Sequence, residues 1–140
     1  MAAGVRRSFY IQWMSTSEIA TVLAWHDALN DSKVDTVLLL SSVAIEIGSA
    51  DGAAQGLAAL REWATDPGVT LRPGQMYYRD GMVVVEETAT GTSTAHAPSV
   101  TEAASFRVVD DVVTSIFRHA TVDDALAASG MSTSDLVSDS

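Results

Sequence analysis

The sequence contains no cysteine, which removes disulfides, thiolate nucleophiles and cysteine-ligated zinc or iron–sulfur centres from consideration. Positive charge is scarce: 8 Lys and Arg stand against 18 Asp and Glu, for a formal net charge of −10. Such a surface repels phosphate backbones and anionic headgroups, so neither nucleic acid nor membrane is an expected partner. No apolar run approaches the roughly 18 residues that a membrane span needs. No histidine pair has metal-ligand spacing, and Gly48, Gly52 and Gly56 lack the strand–helix–strand unit of a nucleotide fingerprint. No metal or other cofactor is therefore expected. What is present is an ordinary globular composition, 47% hydrophobic over 140 residues. A chain of that length buries about two-thirds of its unfolded surface and supports one unstapled core. The lack of cysteine suits a reducing, cytoplasmic setting.

Arg6-Arg7-Ser8-Phe9-Tyr10-Ile11 has the outline of a twin-arginine export motif. Gln12 and the polar run Ser15-Thr16-Ser17-Glu18 interrupt the apolar segment that export requires. Residues 1–14 are thus expected to be an N-terminal extension, with Met14 an alternative start. Residues 15–130 form the domain, and residues 131–140 a frayed polar tail.

Ser15-x-x-Glu18 has capping-box spacing, and Ile19, Val22, Trp25/His26 and Leu29 recur at helical intervals, which predicts a helix over 17–30. A second short helix is expected over 34–40. Val43-Ala44-Ile45-Glu46-Ile47 alternates as a strand with its isoleucines inward, and Leu57, Leu60 and Trp63 mark a third helix. After Gly68 the period changes from 3.6 to 2. Four strands are expected, over 69–78, 82–92, 99–109 and 112–119, with a bulge at Pro73-Gly74 and tight turns at Arg79-Asp80-Gly81 and Asp110-Asp111. A last helical turn follows at 122–129. Helices first and an antiparallel sheet afterwards make an α+β domain.

The segments ALNDSKVDTVLLLSSVAIEIG, GLAALREW, GVTLRPGQMYYRDGMVVVEE and ASFRVVDDVVTSIFRH resemble the SnoaL-like branch of the nuclear transport factor 2-like superfamily. The resemblance covers roughly residues 17 to 130. It implies a cystatin-like α+β cone: a curved antiparallel sheet wrapped around N-terminal helices, with a cavity for a small hydrophobic molecule. Members of that superfamily include ketosteroid isomerases, polyketide cyclases, dehydratases, epoxide hydrolases and non-catalytic binding domains, so the fold sets a menu from which the site must choose. The resembled isomerases and cyclases use a strand carboxylate in an apolar cavity, and the epoxide hydrolases an Asp-Arg-Asp arrangement. Every aspartate here falls outside the expected strands, and no Asp-Arg-Asp arrangement is visible. Four strand glutamates remain, Glu46, Glu86, Glu87 and Glu102. Glu46 is expected to face solvent, and adjacent Glu86 and Glu87 must point to opposite faces.

With Asp110-Asp111 as a two-residue turn, simple counting pairs Phe106 with Ser115, Ala104 with Phe117 and Glu102 with His119. The face carrying Phe106 and Phe117 is then the core face, and Glu102 and His119 become the acid/base candidates. A bulge in the last strand would instead turn Arg118 inward, where it would suit an anionic ligand. Trp25, His26, Trp63, Tyr77, Glu86, Phe106, Phe117 and Arg118 are the candidate pocket residues, with core packing the competing role for each aromatic. Two functions from different classes follow: a binding domain for a small hydrophobic molecule, and a cofactor-independent acid/base enzyme of isomerase, cyclase or dehydratase type. The opposite face retains Val109, Val112, Thr114 and Ile116, which predicts a homodimer.

Overall fold

The structure is a computed structural model that describes residues 17–49, 51–65, 69–91 and 100–137. The extension 1–14, Ser15, the helix stop at 66–68 and the polar loop with His96 lie outside the described residues. Helix α1 covers residues 17–30, α2 is Val34–Leu39, α3 is Leu57–Ala64 and α4 is Val122–Ala128. The strands are β1 (Ser41–Ser49), β2 (Gly52–Gln55), β3 (Val69–Arg79), β4 (Met82–Gly91), β5 (Val100–Val109) and β6 (Val112–His119). They form one curved, unclosed sheet in the order β2-β1-β6-β5-β4-β3. The fold is α+β, as expected. The sheet is mixed and not wholly antiparallel, because β1 runs parallel to β6. Strand β2, which the sequence pattern does not predict, returns antiparallel along β1 with all four residues exposed. It carries no alternation that could have marked it.

The concave face buries Val22, Trp25 and Ala28 of α1 and Leu60 of α3 against Ile45, Val83, Val85, Ala104, Phe106, Val108, Val113 and Ile116. A second, smaller cluster lies on the convex face, where Tyr77, Val84 and Ala103 meet Ala125, Leu126 and Met131. Both faces of β4 and β5 are therefore covered, which explains the unbroken apolar run Met82-Val83-Val84-Val85. Both tight turns have two successive residues at positive φ, Asp80 (50°) with Gly81 (83°) and Asp110 (52°) with Asp111 (66°). That geometry matches the right-handed twist of the strands they join. The expected bulge in β3 falls between Pro73 and Met76.

Two expectations are corrected by the pairing. Val108 pairs with Val113, but Arg107 pairs with Ser115, so Thr114 is an extra residue on β6. The Thr114 hydroxyl donates to the Arg107 carbonyl at 3.2 Å, which satisfies the acceptor there. Beyond this bulge the parity of β6 is inverted. Residues 131–137 are also not a frayed tail; the last three residues lie outside the described ones. Met131 is buried, Thr133–Asp135 form a 3₁₀ turn with a capping box, and the Val137 N–H donates to the Met76 carbonyl at 2.8 Å. With a bridge from Leu136 to Tyr77, this segment covers part of the otherwise open edge of β3.

Candidate functional site

The site is set by the register of three strands. Glu87 on β4 lies directly opposite Glu102 on β5, an arrangement that repels unless a cation is shared. Arg118 supplies it. After the β6 bulge Arg118 pairs with Ala104, one row below the two glutamates, and shares the concave face with them. Strands stand about 4.8 Å apart, so a β6 guanidinium must cross β5 to meet β4. The small Ala104 side chain leaves that path open. Arg118 Nη1 donates to Glu87 Oε1 at 3.2 Å, and Nη2 donates to Glu102 Oε2.

Helix α1 closes the network from above. Its Trp25/His26 position lies on the apolar stripe, and packing Trp25 edge-on to Phe106, with centroids 5.2 Å apart, brings the neighbouring imidazole over β4. His26 Nε2 lies 2.5 Å from Glu87 Oε2, and Nδ1 lies 2.8 Å from the Val22 carbonyl. Exposure rises along the network: the side chains of His26 and Glu87 are 0% exposed, Arg118 is 19% and Glu102 is 32%. Trp63 of α3 stacks on Trp25 at 5.9 Å, and the Arg118 guanidinium sits 5.8 Å from the Trp63 ring centre, a cation–π contact. Trp25 is held by donating to Ser41 Oγ at 3.2 Å, and Ser41 in turn donates to the Val37 carbonyl.

Glu87 has both oxygens engaged and His26 both nitrogens. Glu102 is different: among the described residues its Oε1 has no partner. Among the same residues only two of the five guanidinium N–H groups of Arg118 are used. The arrangement therefore offers one carboxylate oxygen able to take or give a proton, beside a fixed cation able to stabilise charge on an oxygen. Among the described residues no group of three or more His, Asp or Glu is arranged to hold a metal ion.

Of the candidates, Trp25, His26, Trp63, Phe106, Glu102 and Arg118 are brought together. The remaining candidates are not. His119 pairs with Ala103 on the convex face, so the Glu102–His119 pair does not form. Phe117 is likewise convex; its ring lies over Gly48, where an added Cβ would come within 2.5 Å of it. The β6 bulge displaces both. Tyr77 packs in the cluster under α4, and Glu86 lies over Gly74 on that same side. Glu87 takes the place Glu86 was given. The phase was hidden because apolar residues occupy both faces of β4, although Val83 and Val85 share Glu87's parity. Ile116, expected on the outer face, is buried in the concave core. The group that does form is made with glutamates and not aspartates, Glu87–Arg118–Glu102.

A separate polar contact lies near the β3–β4 turn. Burial raises the Tyr78 phenol above its ordinary value of 10.0, and the nearby Glu18 carboxylate raises it further.

A curved, unclosed sheet wrapped on helices is the nuclear transport factor 2-like cone, also called the cystatin fold. This chain has that fold. No family model and no curated protein matches the sequence. Solved structures do match. An NTF2-like protein of unknown function from Cytophaga hutchinsonii superposes with a TM-score of 0.65 at 10% identity, over 77% of this chain and 93% of that one. TerC, co-crystallised with polyporic acid, gives 0.67 at 20% identity, covering 78% and 95%. An LEH-like epoxide hydrolase from M. tuberculosis gives 0.66 at 18% identity, covering 78% and 86%. Identities this low speak for fold and leave the chemistry to the residues.

Proposed function

We propose that this chain is a cofactor-independent acid/base enzyme acting on a small, largely apolar molecule seated over the concave face. Glu102 exchanges the proton, and Arg118 stabilises negative charge on the reacting oxygen. One observation carries this reading: four ionisable side chains, two of them 0% exposed, are joined by hydrogen bonds inside an aromatic core. Desolvating such groups costs several kcal/mol per ion, and apolar residues of similar volume would stabilise the fold as well or better. Buried networks of this kind cluster at working sites. The carboxylate–arginine–carboxylate group adds epoxide opening to the isomerase, cyclase and dehydratase classes, since one neighbour by fold is described as an epoxide hydrolase. The same reading includes a homodimer, supported by the exposed Phe117 and Val109 on the convex side, and a cytoplasmic setting, for which the lack of cysteine is the support.

A test is turnover of small cyclic epoxides in ¹⁸O-water and of β,γ-unsaturated ketones in D₂O. The expected result is label uptake that falls at least 100-fold in Glu102→Gln while the folded spectrum is kept. Full-rate turnover by Glu102→Gln removes Glu102 from the chemistry. Absence of turnover alongside saturable binding of those compounds leaves a binding domain, the reading favoured by the internal saturation of His26 and Glu87.

A further inference from the structure

We propose that His26 and Glu87 share one proton, which sets the charge of the four-group network at zero and makes Arg118 a donor to an uncharged oxygen rather than a receptor for an anion. The ligand half of this statement rests on the reading above, that the network faces a bound molecule.

The proton count follows from which atoms can donate. The Val22 carbonyl, 2.8 Å from His26 Nδ1, can only accept, so Nδ1 carries hydrogen. On the other side of the ring, Nε2 and Glu87 Oε2 are 2.5 Å apart with no solvent exposure on either side chain. Without a proton between them, two lone pairs would face each other at hydrogen-bond distance in a dry site. A proton therefore sits on one of the two atoms. Whether it makes imidazolium with carboxylate or imidazole with carboxylic acid, the pair sums to zero. The second half balances separately, because the always-charged Arg118 guanidinium donates to the Glu102 carboxylate. Neutrality thus does not depend on where the shared proton rests.

This reverses what an inward arginine suggests alone. A carboxylate or phosphate arriving at Arg118 must displace Glu102 or add an unbalanced charge to a mostly buried site. A ketone, ether or hydroxyl oxygen accepts from the unused guanidinium N–H groups with neither cost. His26 is accordingly a positioning residue. Through the shared proton it keeps Glu87 from claiming Arg118 for itself, and Arg118 stays divided between two carboxylates.

The experiment uses the full chain with ¹⁵N-labelled histidine and ¹³Cδ-labelled glutamate at neutral pH, and the probes acetophenone and benzoate, which share a shape and differ in charge. NMR is expected to show Nδ1 protonated, together with either a protonated Nε2 or a protonated Glu87 carboxyl. A bare Nε2 facing an ionised Glu87 overturns the shared proton. Acetophenone is expected to bind the wild type at least 10-fold more tightly than benzoate. Glu102→Gln, which leaves Arg118 unbalanced, should tighten benzoate at least 10-fold, and Glu102→Asp, which keeps the charge, should retain the wild-type order. Benzoate binding the wild type as tightly as acetophenone overturns the ligand class. Failure of both probes on all three proteins overturns the ligand half along with the proposed function, and the NMR result still decides the proton.

Discussion

On the convex side of the sheet, Tyr77, Val84 and Ala103 meet Ala125, Leu126 and Met131, and among the described residues that contact contains no buried charge. On the concave side the same strands present Glu87, Glu102 and Arg118 in the midst of Trp25, Phe106 and Val85. Alternation makes this division available to any strand, since successive side chains point to opposite faces. The convex contact does what stability requires, removing apolar area from water at about 25 cal/mol per Å². The concave face achieves the same closure with a larger apolar cluster and then inserts charges that oppose it. A fold held by one face can tolerate polar chemistry on the other, and here the two tasks are separated by a single residue of phase.

The contrast breaks most visibly at Glu87. Replacing it alone by methionine strands the His26–Arg118 side of the network without its carboxylate, and should cost about 3–5 kcal/mol in urea unfolding. Replacing His26, Glu87 and Arg118 together by Leu, Met and Leu should recover most of that loss. If the triple variant is as unstable as the single one, the network is a structural device and the contrast fails. On the convex face Leu126→Ala should cost about 2–3 kcal/mol by calorimetry, from lost burial and the cavity left behind. Probe binding at Arg118 should not change with it. A shift in probe affinity would mean that the two faces are coupled.

Gly48→Ala should cost about 1 kcal/mol, because the new methyl meets the Phe117 ring and overpacking is relieved when that half-exposed ring swings outward. If Phe117 lies in a homodimer contact, light scattering will show the wild type near twice 14.7 kDa and the variant shifted toward a single chain. A wild type at 14.7 kDa ends the dimer reading. The smallest effect concerns Tyr78. Its folded-state phenol holds the proton to higher pH than an unfolded tyrosine, which ionises near 10.0. That contribution to stability is complete below pH 10.0 and is lost as the pH climbs through the folded-state value. Ultraviolet titration of Glu18→Gln should bring the midpoint down part of the way, leaving the larger shift from burial in place. No movement would take Glu18 out of the account.

Much of the fold was legible because it depends on local pattern. The period of 3.6 in 17–30, the change to period 2 after Gly68, the Pro73 bulge and the two tight turns each follow from neighbours in sequence, and each appears where expected. Strand β2 was not legible, since GAAQ has no apolar alternation and forms only by pairing with β1. The docking of 131–137 was hidden for a similar reason: one of its contacts is a backbone N–H given to the Met76 carbonyl, which any residue but proline could make.

The site divides in the same way. Sequence alone determined which side chains were available: a tryptophan and histidine side by side on one helix stripe, strand glutamates in place of strand aspartates, and an arginine near the end of the last strand. Tertiary structure decided which of them meet. One extra residue at Thr114 turned Arg118 inward and His119 outward, a choice made by hydrogen-bond register between strands and not by the composition of either. The covering of both faces of β4 decided that Glu87, and not Glu86, would be buried. Local preferences act over a few residues, whereas Glu87, the side-chain hydrogen-bond partner of His26, is 61 positions away, and Arg118, reached through it, a further 31. Contacts at that separation exist only after the sheet has closed on the helix.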